Sequence, residues 1–182
     1  MASATGTRDE TEGAAEAAAR DPLAISPEVK ASLNLLIVDD DRTLREGCAS
    51  VLQLDGFNVT TLGRGDEAID LVKRRRFDII LVDLYMTPVS GMEILKATLG
   101  AHKDTIVIVM TGNPSVNTSI EALRAGAWDY LPKPFSATHL QVLVGRASHA
   151  VMVSRETREL RLQLQQQHGN SDKIALIDRF LD

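Results

Sequence analysis

The chain has 182 residues, enough for one well-formed domain with flanking segments and short for two. Its 20 basic and 25 acidic side chains give a net charge of −5, which excludes nucleic-acid binding driven by bulk charge. One cysteine, Cys48, excludes an internal disulfide framework and a multi-cysteine zinc site, and no apolar run reaches the ~18 residues that span a bilayer.

Residues 1–30 carry six acidic and three basic side chains, eight alanines and almost no large apolar groups. Such a segment buries too little to offset its ordering entropy, so residues 1–31 are expected to form a disordered or partly helical tail. From there to residue 148 two periods alternate. Leu35–Val38, Ile79–Val82 and Ile106–Met110 are short, β-branched apolar runs that suit strands covered on both faces. Phe57–Leu62 and Trp128–Leu131 alternate and suit two outer strands. Between them, helical spacing groups Leu44, Cys48, Val51 and Leu52, then Ala68, Ile69, Leu71 and Val72. It continues with Gly91, Ile94, Leu95 and Leu99, then Val116, Ile120 and Leu123. A fifth helix starts after the N-cap Ser136 and carries Leu140, Leu143 and Val144. Five strands alternating with five helices predict a three-layer α/β/α sandwich over residues 32–148.

Ligands of open parallel sheets bind beyond the carboxyl ends of the strands, so those ends can be read for chemistry. The first run ends in Asp39, Asp40 and Asp41, the third in Asp83, the fourth in Thr111, and the fifth in Pro132, Lys133 and Pro134. Clustered carboxylates repel one another unless a cation is present, and an all-oxygen set with room for water suits Mg²⁺. Carboxylates, a hydroxyl and an ammonium around such an ion make a receptor for a phosphoryl group, which a free carboxylate can attack in line. The product is an aspartyl phosphate. No GxxxxGK[ST] motif occurs, which removes a nucleotide-hydrolysing P-loop.

Four motifs in order, Val38-Asp39-Asp40-Asp41, Val82-Asp83 with Met86 and Gly91, Met110-Thr111-Gly112, and Gly126 through Pro134, resemble those of the receiver domain of two-component response regulators. The likeness covers residues 34–148 and is closest in style to receivers of nitrogen-regulation-class transcription activators. It implies a flavodoxin-like sheet in the order 2-1-3-4-5 with an extended carboxyl-terminal helix. It implies Asp83 as phosphoacceptor, Asp39, Asp40 and Asp83 with the Tyr85 backbone carbonyl as Mg²⁺ ligands, and Lys133 as the phosphate-binding lysine. Thr111 is the implied switch hydroxyl and Tyr130 the aromatic that follows it. A sensor histidine kinase is the implied donor, with transcription regulation as the downstream role. The function expected is that of a phosphorelay receiver and not of an enzyme on external substrates, although an Asp-based phosphatase is the alternative from another class. One departure is Thr87, which separates Met86 from Pro88 where the family often has proline. The Lys133–Pro134 bond is usually cis in this family.

Beyond the receiver, steps of three and four pick out Leu143, Arg146, Ala150, Val153, Thr157, Leu160, Leu164 and Gln167. This predicts a helical linker over residues 149–168, a candidate coiled coil, ended by Gly169 and a short tail to residue 182. Homodimerisation is expected through this linker or through the face made by the fourth helix, fifth strand and fifth helix. The last residues are too few for an ATPase or a DNA-binding domain, so the chain reads as a free-standing receiver or as a piece of a longer regulator. No nucleic-acid or membrane partner is expected, and with no apolar leader at the start a cytoplasmic location is the default expectation. His102, His139, His149 and His168 show no ligand spacing and are expected at the surface, and Lys73 to Arg76 at a solvated helix end.

Overall fold

The computed structural model describes residues 24–180 apart from Pro114, with side chains described through Gln167. Most of the expected amino-terminal tail, residues 1–23, lies outside the described residues, as do the side chains of the last segment. The tail's remainder holds one short helix, α1 (Pro27–Ser32), with Pro27 in its first turn and Ser26 accepting from the Val29 amide. Lys30 ties α1 to the domain through Asp55 at 2.7 Å.

Five parallel strands, β1 (Asn34–Val38), β2 (Asn58–Leu62), β3 (Ile79–Asp83), β4 (Ile106–Thr111) and β5 (Asp129–Pro132), lie in the order β2-β1-β3-β4-β5. The pleat explains why the inner runs are apolar throughout. Leu35, Ile37, Ile79, Leu81, Ile108 and Met110 face one layer, while Leu36, Val38, Ile80, Val82, Val107 and Val109 face the other. The first layer is closed by α2 (Arg42–Leu54) and α6 (Ala137–Phe180). The second is closed by α3 (Gly65–Arg74), α4 (Gly91–Ala101) and α5 (Val116–Arg124).

Helix α5 departs from the expected packing. Its apolar stripe at steps of four and three points to solvent, with Val116 75%, Ile120 41% and Leu123 42% exposed, and Ala122 is the residue it buries. A periodic stripe states that a face is apolar but not which surface covers it. His102 also differs from expectation, because its Nε2 is buried without a hydrogen-bond partner. It sits at the C-cap of α4.

Helix α6 begins as expected, with the Ser136 hydroxyl accepting from the His139 amide. It lays Leu140, Leu143, Val144, Ala147 and Val151 into the core. Farther along the same seam, Arg155 donates to buried Asp78 at 2.6 Å and Arg158 pairs with Asp104. The stripe predicted for a coiled coil starts on this seam at Leu143 and then leaves it, with Val153 and Leu160 half exposed. Gly169 does not end the helix, whose backbone continues to Phe180. A glycine keeps its amide hydrogen, so within a helix it costs about 1 kcal/mol against alanine without breaking the ladder. No helix among the described residues is long and apolar enough to cross a membrane.

Cys48 is buried in α2, and that burial, reinforced by the charge of Asp39, pushes its thiol up to about 11. At pH 8 only about one thiol in a thousand is then ionised, and the thiolate is the reactive form. Alkylation by iodoacetamide is therefore expected to be slow in buffer and fast in denaturing urea. Equal rates by intact mass in the two conditions would contradict this placement.

Candidate functional site

The parallel register brings the strand ends to one level. Val38 pairs with Val82, Asp83 with Met110 and Thr111 with Pro132, so Asp39, Asp83, Thr111 and Lys133 all emerge at the carboxyl edge of the sheet. The chain then turns sharply in each case. After β1, Asp41 caps α2 by accepting from the Leu44 amide. After β3, Ser90 and Glu93 form a capping box at the start of α4. Gly91 presses against the end of β3 there: a Cβ on it would lie 2.1 Å from the Asp83 carbonyl oxygen.

Carboxylate oxygens of Asp39, Asp40 and Asp83 lie within 4.8 Å of one another. Asp39 and Asp83 are buried, and Asp40 is exposed at the mouth. Lys133 reaches between the two buried acids, at 2.7 Å from Asp39 Oδ2 and 3.5 Å from Asp83 Oδ2. Asp39 is held further by the Asp41 amide, which donates to Oδ1 at 2.9 Å, while the Tyr85 amide donates to Asp83 Oδ1 at 3.3 Å. Burial raises the Asp83 carboxyl above its ordinary value, with Asp39 and Asp40 pushing the same way against the pull of Lys133. For Lys133 burial acts downward, but the hydrogen bond and charge of Asp39, with Asp83, outweigh it and raise the ammonium. The pair thus sets a charged donor beside a carboxylate of raised basicity.

Other expected site residues are placed less closely. Thr111 is buried, its hydroxyl accepting from the Asn113 amide at 3.2 Å. Tyr130 is half-buried on the edge strand β5, level with Val109, two residues before the level of Thr111. Tyr85 is exposed just past the end of β3. Among the described residues other than its two chain neighbours, none comes within 4 Å of the point where a Cβ on Gly112 would stand. Both Thr87–Pro88 and Lys133–Pro134 are cis.

Three carboxylates against one ammonium leave an excess of negative charge in a partly buried cluster. A divalent cation with hard oxygen ligands fits that donor set, because it neutralises the excess and Asp40 leaves one side open to water. One neighbour was not singled out from the sequence. Arg45, one turn into α2, donates through Nη1 to the Asp39 carbonyl oxygen at 2.6 Å. Its only sequence signal is a cation one helical turn after an acidic triplet.

A family model described as the response regulator receiver domain matches residues 35–145. The nitrogen assimilation regulatory protein NtrX of Azorhizobium caulinodans is 31% identical over 148 residues, 80% of this chain and 32% of that protein. The response regulator MprA of Mycobacterium tuberculosis is 37% identical over 109 residues, 60% of this chain and 47% of its own length. The chain therefore spans about a third to a half of these curated relatives. Among solved structures, the beryllofluoride-activated NtrC4 receiver domain dimer superposes with a TM-score of 0.62 at 28% identity, covering 65% of this chain and 98% of that one. Sheet order, the clustered strand ends and the family match agree: the chain belongs to the response regulator receiver domains of two-component systems.

Proposed function

We propose that the chain is a phosphoryl-operated switch in which Asp83 accepts a phosphoryl group from the phosphohistidine of a sensor kinase. The observation that carries this reading is the Lys133 ammonium set between Asp39 and Asp83, beside three clustered carboxylates. Asp39, Asp40, Asp83 and the Tyr85 carbonyl would hold Mg²⁺, which when bound supplies charge neutralisation for the phosphoryl oxygens. The Tyr85 amide orients Asp83 by holding Oδ1. An Asp83 oxygen forms the new bond to phosphorus as the nitrogen–phosphorus bond of the donor breaks, and the ring, already protonated on its other nitrogen, keeps that bond's electron pair and leaves as neutral imidazole. Lys133 then exchanges part of its contact with Asp83 for the phosphoryl oxygens. The Thr111 hydroxyl turns to donate to that group, with Tyr130 following.

The output proposed is contact with a second copy through α5, β5 and α6, in service of transcription regulation. Support comes from the exposed Val116, Ile120 and Leu123 stripe beside the open edge of β5, and from exposed Val142 on α6. It also comes from the likeness to a receiver solved as an activated dimer. Light scattering of the full chain, with and without acetyl phosphate and Mg²⁺, tests this. The expected result is retained phosphoryl accompanied by a rise in average mass. Steady release of inorganic phosphate with none retained would indicate a phosphatase instead, and retained phosphoryl with unchanged mass would remove dimerisation as the output.

A further inference from the structure

Arg45 stands at the point where the pairing of β1 with β2 ends. The Asp39 amide donates to the Leu62 carbonyl at 3.2 Å, the last bond of that ladder. The next would run from the Arg64 amide to the Asp39 carbonyl, but Arg64 is the N-cap of α3 and its chain has already turned away. A carbonyl of a wholly buried residue is thereby left without a backbone donor, which is costly if nothing replaces it. The Arg45 guanidinium replaces it at 2.6 Å. Among the described residues Arg45 makes no ion pair within 4 Å, although three aspartates precede it by four to six positions. Its charge goes to one carbonyl oxygen. Gly63 makes room for it: a Cβ there would lie 3.0 Å from Arg45 Nη1 and 3.3 Å from Cζ.

Asp39 is thus fixed on four sides, by Leu62 through its amide, Arg45 through its carbonyl, and Asp41 and Lys133 through its carboxylate. Two of these contacts, those of Leu62 and Arg45, act on the backbone and so set where the carboxylate starts. We infer that Arg45 is a positioning residue for the metal-binding carboxylate: it pins the Asp39 carbonyl at the end of β1, and Gly63 is the slot that admits its guanidinium. This rests on the proposed reading that Asp39 helps to hold Mg²⁺. Partners that orient a ligand in this way are commonly worth 10–100-fold in metal affinity.

The test is Mg²⁺ titration of the full chain by calorimetry, paired with phosphoryl uptake from acetyl phosphate at varied Mg²⁺. Arg45→Gln is expected to weaken Mg²⁺ binding about tenfold and to raise the Mg²⁺ needed for half-maximal uptake by the same factor. Uptake at saturating Mg²⁺ should stay within about twofold of the native rate, because the reacting oxygen of Asp83 is untouched. Arg45→Lys, which keeps a donor of similar reach, should recover part of the affinity. Gly63→Ala keeps every charge but crowds the guanidinium, so it should weaken Mg²⁺ binding in the same direction by a smaller factor. Combined with Arg45→Gln it should add nothing further. Native Mg²⁺ affinity in Arg45→Gln, or a Gly63→Ala effect that adds fully to it, would overturn the inference. If the native chain itself binds no Mg²⁺, the reading beneath it fails as well, and that result is distinct from a native-like variant.

Discussion

Replacing Gly91 with alanine is expected to lower the unfolding free energy by about 3 kcal/mol, at the upper end of what overpacking costs. The added Cβ would stand 2.1 Å from the Asp83 carbonyl oxygen, and 2.8 Å from both the Asp83 carbonyl carbon and the Leu84 Cα. All three are backbone atoms. The Leu84 amide donates to the Met110 carbonyl at 2.8 Å, and the Gly91 amide donates back to the Leu84 carbonyl at 3.1 Å. Neither the strand end nor the helix start can therefore yield without breaking hydrogen bonds. Gly100→Ala, in the same helix with nothing within 4 Å, serves as the control and should gain up to about 1 kcal/mol. Urea unfolding followed by circular dichroism measures both. A Gly91→Ala loss under about 1 kcal/mol would show that the turn after Asp83 is looser than the geometry implies. The same variant should take up phosphoryl poorly, since the atoms displaced belong to Asp83.

The second large effect lies at the opposite edge of the sheet. Asp78→Ala is expected to cost about 3 kcal/mol, because one buried carboxylate serves two elements. Its Oδ2 accepts from the Asn34 amide at 2.9 Å, and its Oδ1 accepts from Arg155 at 2.6 Å. Removal leaves a strand amide and a guanidinium without their acceptor together. Arg155→Ala should cost only about 1 kcal/mol, since Arg155 is partly exposed and Asp78 keeps its bond to Asn34. Urea unfolding again measures the difference. Because Arg155 ties α6 to the domain past the last core residue, Val151, Asp78→Ala should also expose the helix beyond that point to proteolysis. Equal stability of the native chain and Asp78→Ala would mean that the linker is not anchored through this pair.

Much of this was legible from residues alone. The inner strands announce themselves as apolar runs because both faces are covered, and their last polar residues, Asp39, Asp83 and Thr111, mark the edge where ligands bind. The start of the last helix was equally plain, since Ser136 accepts the amide expected of an N-cap. What sequence spacing left open were relations between distant residues. The Val116, Ile120 and Leu123 stripe has the spacing of a core face, yet only the third dimension shows that α5 turns Ala122 inward instead. Asp78 and Arg155 are 77 positions apart, and neither stands in a motif. The partner of Arg45 is a backbone carbonyl, which leaves no trace in residue types. The helix continues past Gly169 because a lone glycine weakens a helix without ending it.

Whether Asp83 is the residue that takes the phosphoryl group is decided by intact mass and peptide mapping of the full chain after incubation with acetyl phosphate and Mg²⁺. The predicted result is a single phosphoryl adduct located on Asp83, absent when the metal is chelated and absent in Asp83→Asn. An adduct that persists in Asp83→Asn, or no adduct on the native chain with either acetyl phosphate or a phosphorylated sensor kinase, would contradict it.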